Sequence, residues 1–122
     1  MSIIAKYKFD KNIYENLIPV FNDGYSGYTI SDEIDSVYSN HVIRTIECDT
    51  APTYIRFGLS ETESSNNIRT SEADALREII SLDISGLNSL RCMFRFCKNL
   101  TSINTSGWDI SKINDLYSTF QY

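Results

Sequence analysis

The chain of 122 residues is poor in the groups that carry chemistry: one histidine, one tryptophan, two prolines, five glycines and three cysteines. With His41 alone, neither a histidine-rich metal site nor a histidine-activated nucleophile has the residues it needs. Cys48, Cys92 and Cys97 are odd in number. The N-terminus carries only a three-residue apolar run before Lys6, too short for a secretory signal, so the cysteines read as reduced thiols rather than a disulfide framework. The spacing of Cys92 and Cys97 is loose for a closed site that requires four ligands, and no metal or cofactor is expected. The glycines at 24, 27, 58, 86 and 107 are isolated. They form no phosphate loop, dinucleotide fingerprint or nucleophile elbow. Asp32, Glu33 and Asp35 lack the ligand spacing and glycine of a calcium loop and read as a solvated acidic stretch. The expectation is that the protein is not an enzyme and has no catalytic, cofactor or metal residues.

Basic charge is also scarce. Eleven lysines and arginines face sixteen acidic residues, a net charge of −5. The imbalance lies in residues 1–80, with seven basic against thirteen acidic groups; residues 81–122 carry four against three. An acidic first part argues against nucleic acid, which needs a concentrated basic face, and against docking on anionic lipid. No apolar window approaches the length of a membrane span, so no membrane insertion is expected. What is plentiful is core material: 42% hydrophobic and 12% aromatic residues, including eight tyrosines and six phenylalanines.

Residues 3–9 alternate, with Ile3, Ala5, Tyr7 and Phe9 on one side, which predicts an opening β-strand. Asp10 is placed to cap a short helix carrying Ile13, Tyr14, Leu17 and Ile18, stopped by Pro19. Tyr28 to Ser31 and Val42 to Cys48 predict strands, and a turn at 49–52 predicts a hairpin between the latter and Thr53 to Phe57. Residues 61–74 are polar and aperiodic and read as a loop or linker between a β-rich module, 1–60, with one short helix, and a second segment, 75–122.

In that second segment Ser81-Leu82-Asp83-Ile84-Ser85-Gly86 returns as Ser102-Ile103-Asn104-Thr105-Ser106-Gly107. Leu90-x-x-Met93-Phe94 returns as Leu116-x-x-Thr119-Phe120. A period in the twenties predicts stacked units that bury each other's apolar faces. With the Cys97 position and Trp108-Asp109-Ile110-Ser111, these elements resemble the BspA-type leucine-rich repeats of bacterial surface and phage-associated proteins. The resemblance covers residues 76–122, just over a third of the chain. Residues 1–70 resemble, more distantly, modules that precede such repeats in phage and prophage proteins, on Ile3-Ile4-Ala5-Lys6-Tyr7-Lys8-Phe9 and Arg44-Thr45-Ile46-Glu47-Cys48-Asp49. Against the family pattern, the first copy reads as lacking the Trp-Asp-x-Ser element, and Thr119 stands where methionine is usual.

The expected fold is α+β but mainly β, a small β-rich module followed by a short leucine-rich-repeat-like solenoid. The resemblance implies a non-catalytic recognition or assembly module: a virion component of a phage tail or head fibre, or a bacterial cell-surface component, that binds a protein or glycan partner. The alternatives are a purely structural, oligomerising virion or appendage subunit, with homo-oligomers formed through the repeat end, and a carbohydrate-active hydrolase. Exposed aromatic rings give contact area at low entropic cost. On that ground Tyr25, Tyr28, Tyr38, Trp108, Phe120 and Tyr122 are the candidate partner-binding residues. Arg91, Arg95, Lys98 and Lys112 read as a solvated face.

Overall fold

A computed structural model describes residues 2–63 and 69–121. β1 (Ser2–Asp10) lies at the centre of a mixed five-stranded sheet, flanked by β4 (His41–Cys48) and by β6 (Leu76–Leu82). Beyond β4 lies β3 (Tyr28–Ile34), and beyond β6 lies β7 (Ser102–Ile103). All pairings are antiparallel except β6 with β7, which run parallel. A two-residue ladder joins β2 (Val20–Phe21) to β5 (Ile55–Arg56). The only helix among the described residues, α1 (Thr70–Ala75), leads directly into β6. The protein is thus small and mainly β.

The alternation in β1 is real, but its phase slips at one point. A bulge between Ile3 and Ala5 places Ile4 and Ala5 both in the core and leaves Ile3 exposed. Ile3 therefore does not share a face with Tyr7 and Phe9, because one extra residue turns every preceding side chain over. In β4 the pattern holds, with Val42, Arg44, Ile46 and Cys48 buried.

The expected helix after Asp10 does not form. The Asp10 carboxylate accepts the Asn12 N–H at 2.9 Å, and the backbone makes a single turn. The Leu17 carbonyl is then used by Tyr7, whose hydroxyl donates to it at 2.5 Å, and by Arg44 at 3.2 Å. One turn of helix is a poor nucleus, and these tertiary bonds fix Leu17 against Tyr7 and Arg44. Arg44, buried beneath this segment, is held bidentately by Asp32 at 2.8 Å to each oxygen and lies over the Phe9 ring. That pairing explains how a guanidinium is accommodated in the core.

The expected hairpin between residues 42–48 and 53–57 is also absent. Both edges of β4 are occupied, by β3 and β1, so β5 pairs with β2 instead. The region expected to be a loop, 61–74, takes in all of α1 but its last residue, Ala75, while part of it lies outside the described residues. Because β1 joins β4 to β6, the two expected segments contribute strands to one sheet and side chains to one core.

Candidate functional site

β6 and β7 open two successive coils of chain, residues 76–97 and 101–121. Within the strands the register is 24 residues, with Ile79 beside Ile103. After them the second coil carries two extra residues in a turn where the Asn104 side chain accepts the Ser106 N–H and Gly107 takes φ +79°. From there the offset is 26 residues. Leu82-Asp83-Ile84-Ser85 is the structural counterpart of Trp108-Asp109-Ile110-Ser111: Asp83 accepts the Ser85 N–H at 2.9 Å, and Asp109 accepts that of Ser111 at 3.0 Å. The Trp108 indole N–H donates to the Leu82 carbonyl at 2.9 Å and joins the two turns.

This corrects the repeat drawn from sequence. The two six-residue stretches ending in Gly86 and Gly107 hold the same turn, Asp83 accepting the Ser85 N–H and Asn104 that of Ser106. They do not lie side by side, since Ser102 pairs with Glu78 and Trp108 is tied to Leu82, which stands at the tryptophan position of the first copy. Cys92 and Ser118, 26 residues apart, both adopt left-handed backbone, with φ 58° and 53°. Asn88 and Asn114, Leu90 and Leu116, and Phe94 and Phe120 recur at the same spacing.

The first coil is covered on its far side by the chain around β5. Phe57 and Gly58 donate their N–H groups to Met93 O at 2.8 Å, and Leu59 to Arg95 O at 2.9 Å. The approach is so close that a Cβ on Gly58 would lie 2.3 Å from both the N and the O of Arg95. Phe57 stacks on Phe94 at 6.0 Å between ring centroids, and Phe94 on Phe120 at 5.8 Å. Arg91 and Arg95 reinforce the cover rather than forming a solvated face. Arg91 pairs with Glu61 and Asp115, and Arg95 donates to the Ser60 carbonyl.

Among the described residues the second coil has no such cover. Phe57 and Phe94 are fully buried, but Phe120, the third ring of the ladder, is 50% exposed. In the same coil Ile110 and Leu116 are 57% exposed, and Tyr117, whose ring lies under the Arg91 guanidinium, is 53% exposed. Sequence reasoning missed Ile110, Leu116 and Tyr117; aligning the two copies on Asp83 and Asp109 would have placed them at the edge of the stack.

Of the residues singled out from sequence, Phe120 lies on this end, and Trp108, half-buried, ties its turn to the one before. Tyr122 lies outside the described residues. Tyr25 and Tyr28 stack on each other at 5.8 Å beside Phe21, remote in the fold, with the Tyr25 hydroxyl donating to Thr50 O and its pKa raised by burial. Tyr38 is exposed on the β3–β4 turn, against His41, at the rim of a hollow of about 300 Å³ lined also by Lys8, Arg77, Glu78 and Thr101. A second hollow of about 380 Å³ follows the turns at Asp83 and Asp109. The structure thus brings Trp108 and Phe120 into one unit and leaves the three tyrosines apart from it.

Burial pushes the Cys97 thiol up to about 12 and raises that of Cys92, which keeps both protonated and weakly nucleophilic. Among the described residues no three His, Cys, Asp or Glu side chains come together to hold a metal. No protein-family model matches this chain, and neither does a curated protein or a solved structure.

Proposed function

We propose that the protein is a non-catalytic recognition or assembly module in which a short leucine-rich-repeat-like solenoid is capped at one end by the N-terminal strands and offers its other end to a partner. The observation that carries this reading is the asymmetry of the stack. The same aromatic ladder is buried at Phe57 and Phe94 and laid open at Phe120, and Ile110, Leu116 and Tyr117 are exposed in the same coil. An exposed apolar surface at the end of a repeat is one that solenoids normally cover. The resemblance of residues 76–122 to BspA-type repeats supports a place on a phage virion, in a tail or head fibre, or on a bacterial cell surface. The neutral, buried thiols favour binding over catalysis.

The test is photo-crosslinking from position 117. The chain with a photoreactive phenylalanine analogue in place of Tyr117 is irradiated in an extract of its native source. One recurring adduct is expected, competed away by excess unlabelled protein but not by the Phe120→Asp variant. Scattered adducts indifferent to either competitor would overturn the reading.

A further inference from the structure

β3 is one edge of the five-stranded sheet, on the side away from β6 and β7. The hydrogen bonds around it show which of its main-chain groups are left over. The Asp35 N–H donates to His41 O at 2.9 Å, one step beyond the pair Ile34 and Val42. Opposed residues in an antiparallel ladder alternate between exchanging both bonds and exchanging none, so Glu33, Ser31 and Thr29 also bond to β4. Tyr28, Ile30, Asp32 and Ile34 therefore turn their N–H and C=O groups outward. The other side of β4 agrees: the Lys11 N–H donates to Asn40 O, which by the same alternation commits Val42, Arg44 and Ile46 to β1. Among the described residues no other main-chain group meets the outward row.

The side chains of this edge are as open as its backbone. Ile30 and Ile34 lie opposite Ile46 and Val42 on the core side of the sheet. Those two are buried, but Ile30 is 38% and Ile34 54% exposed, so the apolar layer reaches the edge unclosed. Asp32 between them is neutralised by the bidentate bond from Arg44. Sheet edges are usually blunted by a lysine, a proline or a bulge, and β3 has none of these. Its charge is of one sign: residues 12–43 contain five acidic residues and no lysine or arginine. Glu33 is exposed on the face opposite Ile30 and Ile34.

We infer that the open edge of β3 takes up an extended strand of a basic partner protein, one in which apolar residues alternate with lysine or arginine. The main chain of that strand bonds to Ile30, Asp32 and Ile34. Its apolar side chains close the layer over Ile30 and Ile34, and its basic side chains meet Glu33 on the other face. This surface is separate from the Phe120 end and does not depend on the reading of it. A second copy is a poor occupant, because two β3 edges bring acidic strands together. A glycan has no regular row of main-chain donors and acceptors to match the edge.

The test uses the full chain preceded by a strand of about seven residues, valine alternating with lysine, and a glycine-serine linker of about 12 residues. Ser2 pairs with Cys48 and Cys48 with Tyr28, so the linker begins two strands from the edge. Such a tether supplies the strand at roughly millimolar effective concentration, so weak affinity does not mask docking. Amide exchange is read by NMR, with the Tyr7 and Phe9 amides of β1 as the check that the sheet is intact. The Ile30, Asp32 and Ile34 amides are expected to exchange at least about tenfold more slowly than in the unfused chain. Glutamate in place of the tethered lysines is expected to remove most of that protection, and proline in place of the valines all of it. Phe120→Asp is expected to leave it intact, which separates this surface from the coil end. Equal exchange with and without the tether would overturn the inference, and so would equal protection by the lysine and glutamate strands. Protection in the unfused chain that grows with its concentration would also overturn it, since a second copy would then be the occupant.

Discussion

Gly58 is where the cover and the first coil come closest, and its lack of a side chain is a steric requirement rather than a conformational one. Its φ is not left-handed, yet an added Cβ meets Arg95 main chain at 2.3 Å. Backbone cannot yield as a flexible side chain does, so Gly58→Ala is expected to destabilise the fold by about 3 kcal/mol or more. Gly24→Ala, at φ +76° with open space around it, is expected to cost only about 1 kcal/mol. Urea denaturation of the two variants separates these values, and equal losses would show that the cover does not press on Arg95. Asp35 gives a second residue-level expectation. The Tyr38 N–H, the Lys8 ammonium at 3.0 Å and the Val37 N–H hold its carboxyl down to about 2, from 3.8. A depressed carboxylate stabilises the fold fully above its ordinary value and loses that contribution as the pH falls through about 2. The gap in urea midpoint between wild type and Asp35→Asn is therefore expected to narrow from pH 5 to pH 2. A gap that stays constant over that range would mean the turn does not depend on the charge.

The element that sets the character of the molecule is the pair of coils, and the ladder through them makes the energetics uneven. Phe94 lies between two rings in the core, so Phe94→Ala is expected to cost about 3 to 5 kcal/mol, the usual range for removing a buried aromatic side chain. Phe120→Ala, half in solvent with a ring on one side only, is expected to cost about 1 kcal/mol or less. Thermal unfolding of both variants measures the difference, and similar losses would contradict an open end. The apolar positions Leu87, Leu90, Met93, Phe94 and Cys97 were legible in the sequence because each recurs at short spacing and has no other role than packing. The register between the coils was not. The resemblance of residues 81–86 to residues 102–107 is strong in letters, but the two extra residues at Asn104 to Gly107 shift the fold to a 26-residue offset. Strand partners were equally hidden, since the alternation in β4 says that one face is buried but not which strands flank it. The failed helix at Asp10 shows the same limit: bonds from Tyr7 and Arg44, distant in sequence, fix Leu17 in a tertiary network that local spacing does not reveal.

At the scale of the whole molecule, the central place of β1 decides how the protein melts. β1 is hydrogen-bonded on one side to β4 and on the other to β6, so the acidic N-terminal strands and the first coil share a sheet and a core. Phe57, Gly58 and Leu59 fasten the same two parts a second time. Two coils alone are fewer than the three or so that a repeat array needs to stand by itself, so the coils are expected to lose their structure when the sheet does. Trp108 reports this directly, being the single tryptophan and lying in the second coil, bonded to Leu82. Its fluorescence and the far-ultraviolet circular dichroism of the sheet are expected to change at one urea concentration. Ile46→Ala, a core truncation in β4 remote in sequence from the coils, is expected to lower both midpoints together, by about 2 to 5 kcal/mol of stability. A tryptophan transition that ignores Ile46→Ala would show that the coils hold themselves together. The N-terminal strands would then be an attachment to the repeat rather than the cap on which its order depends.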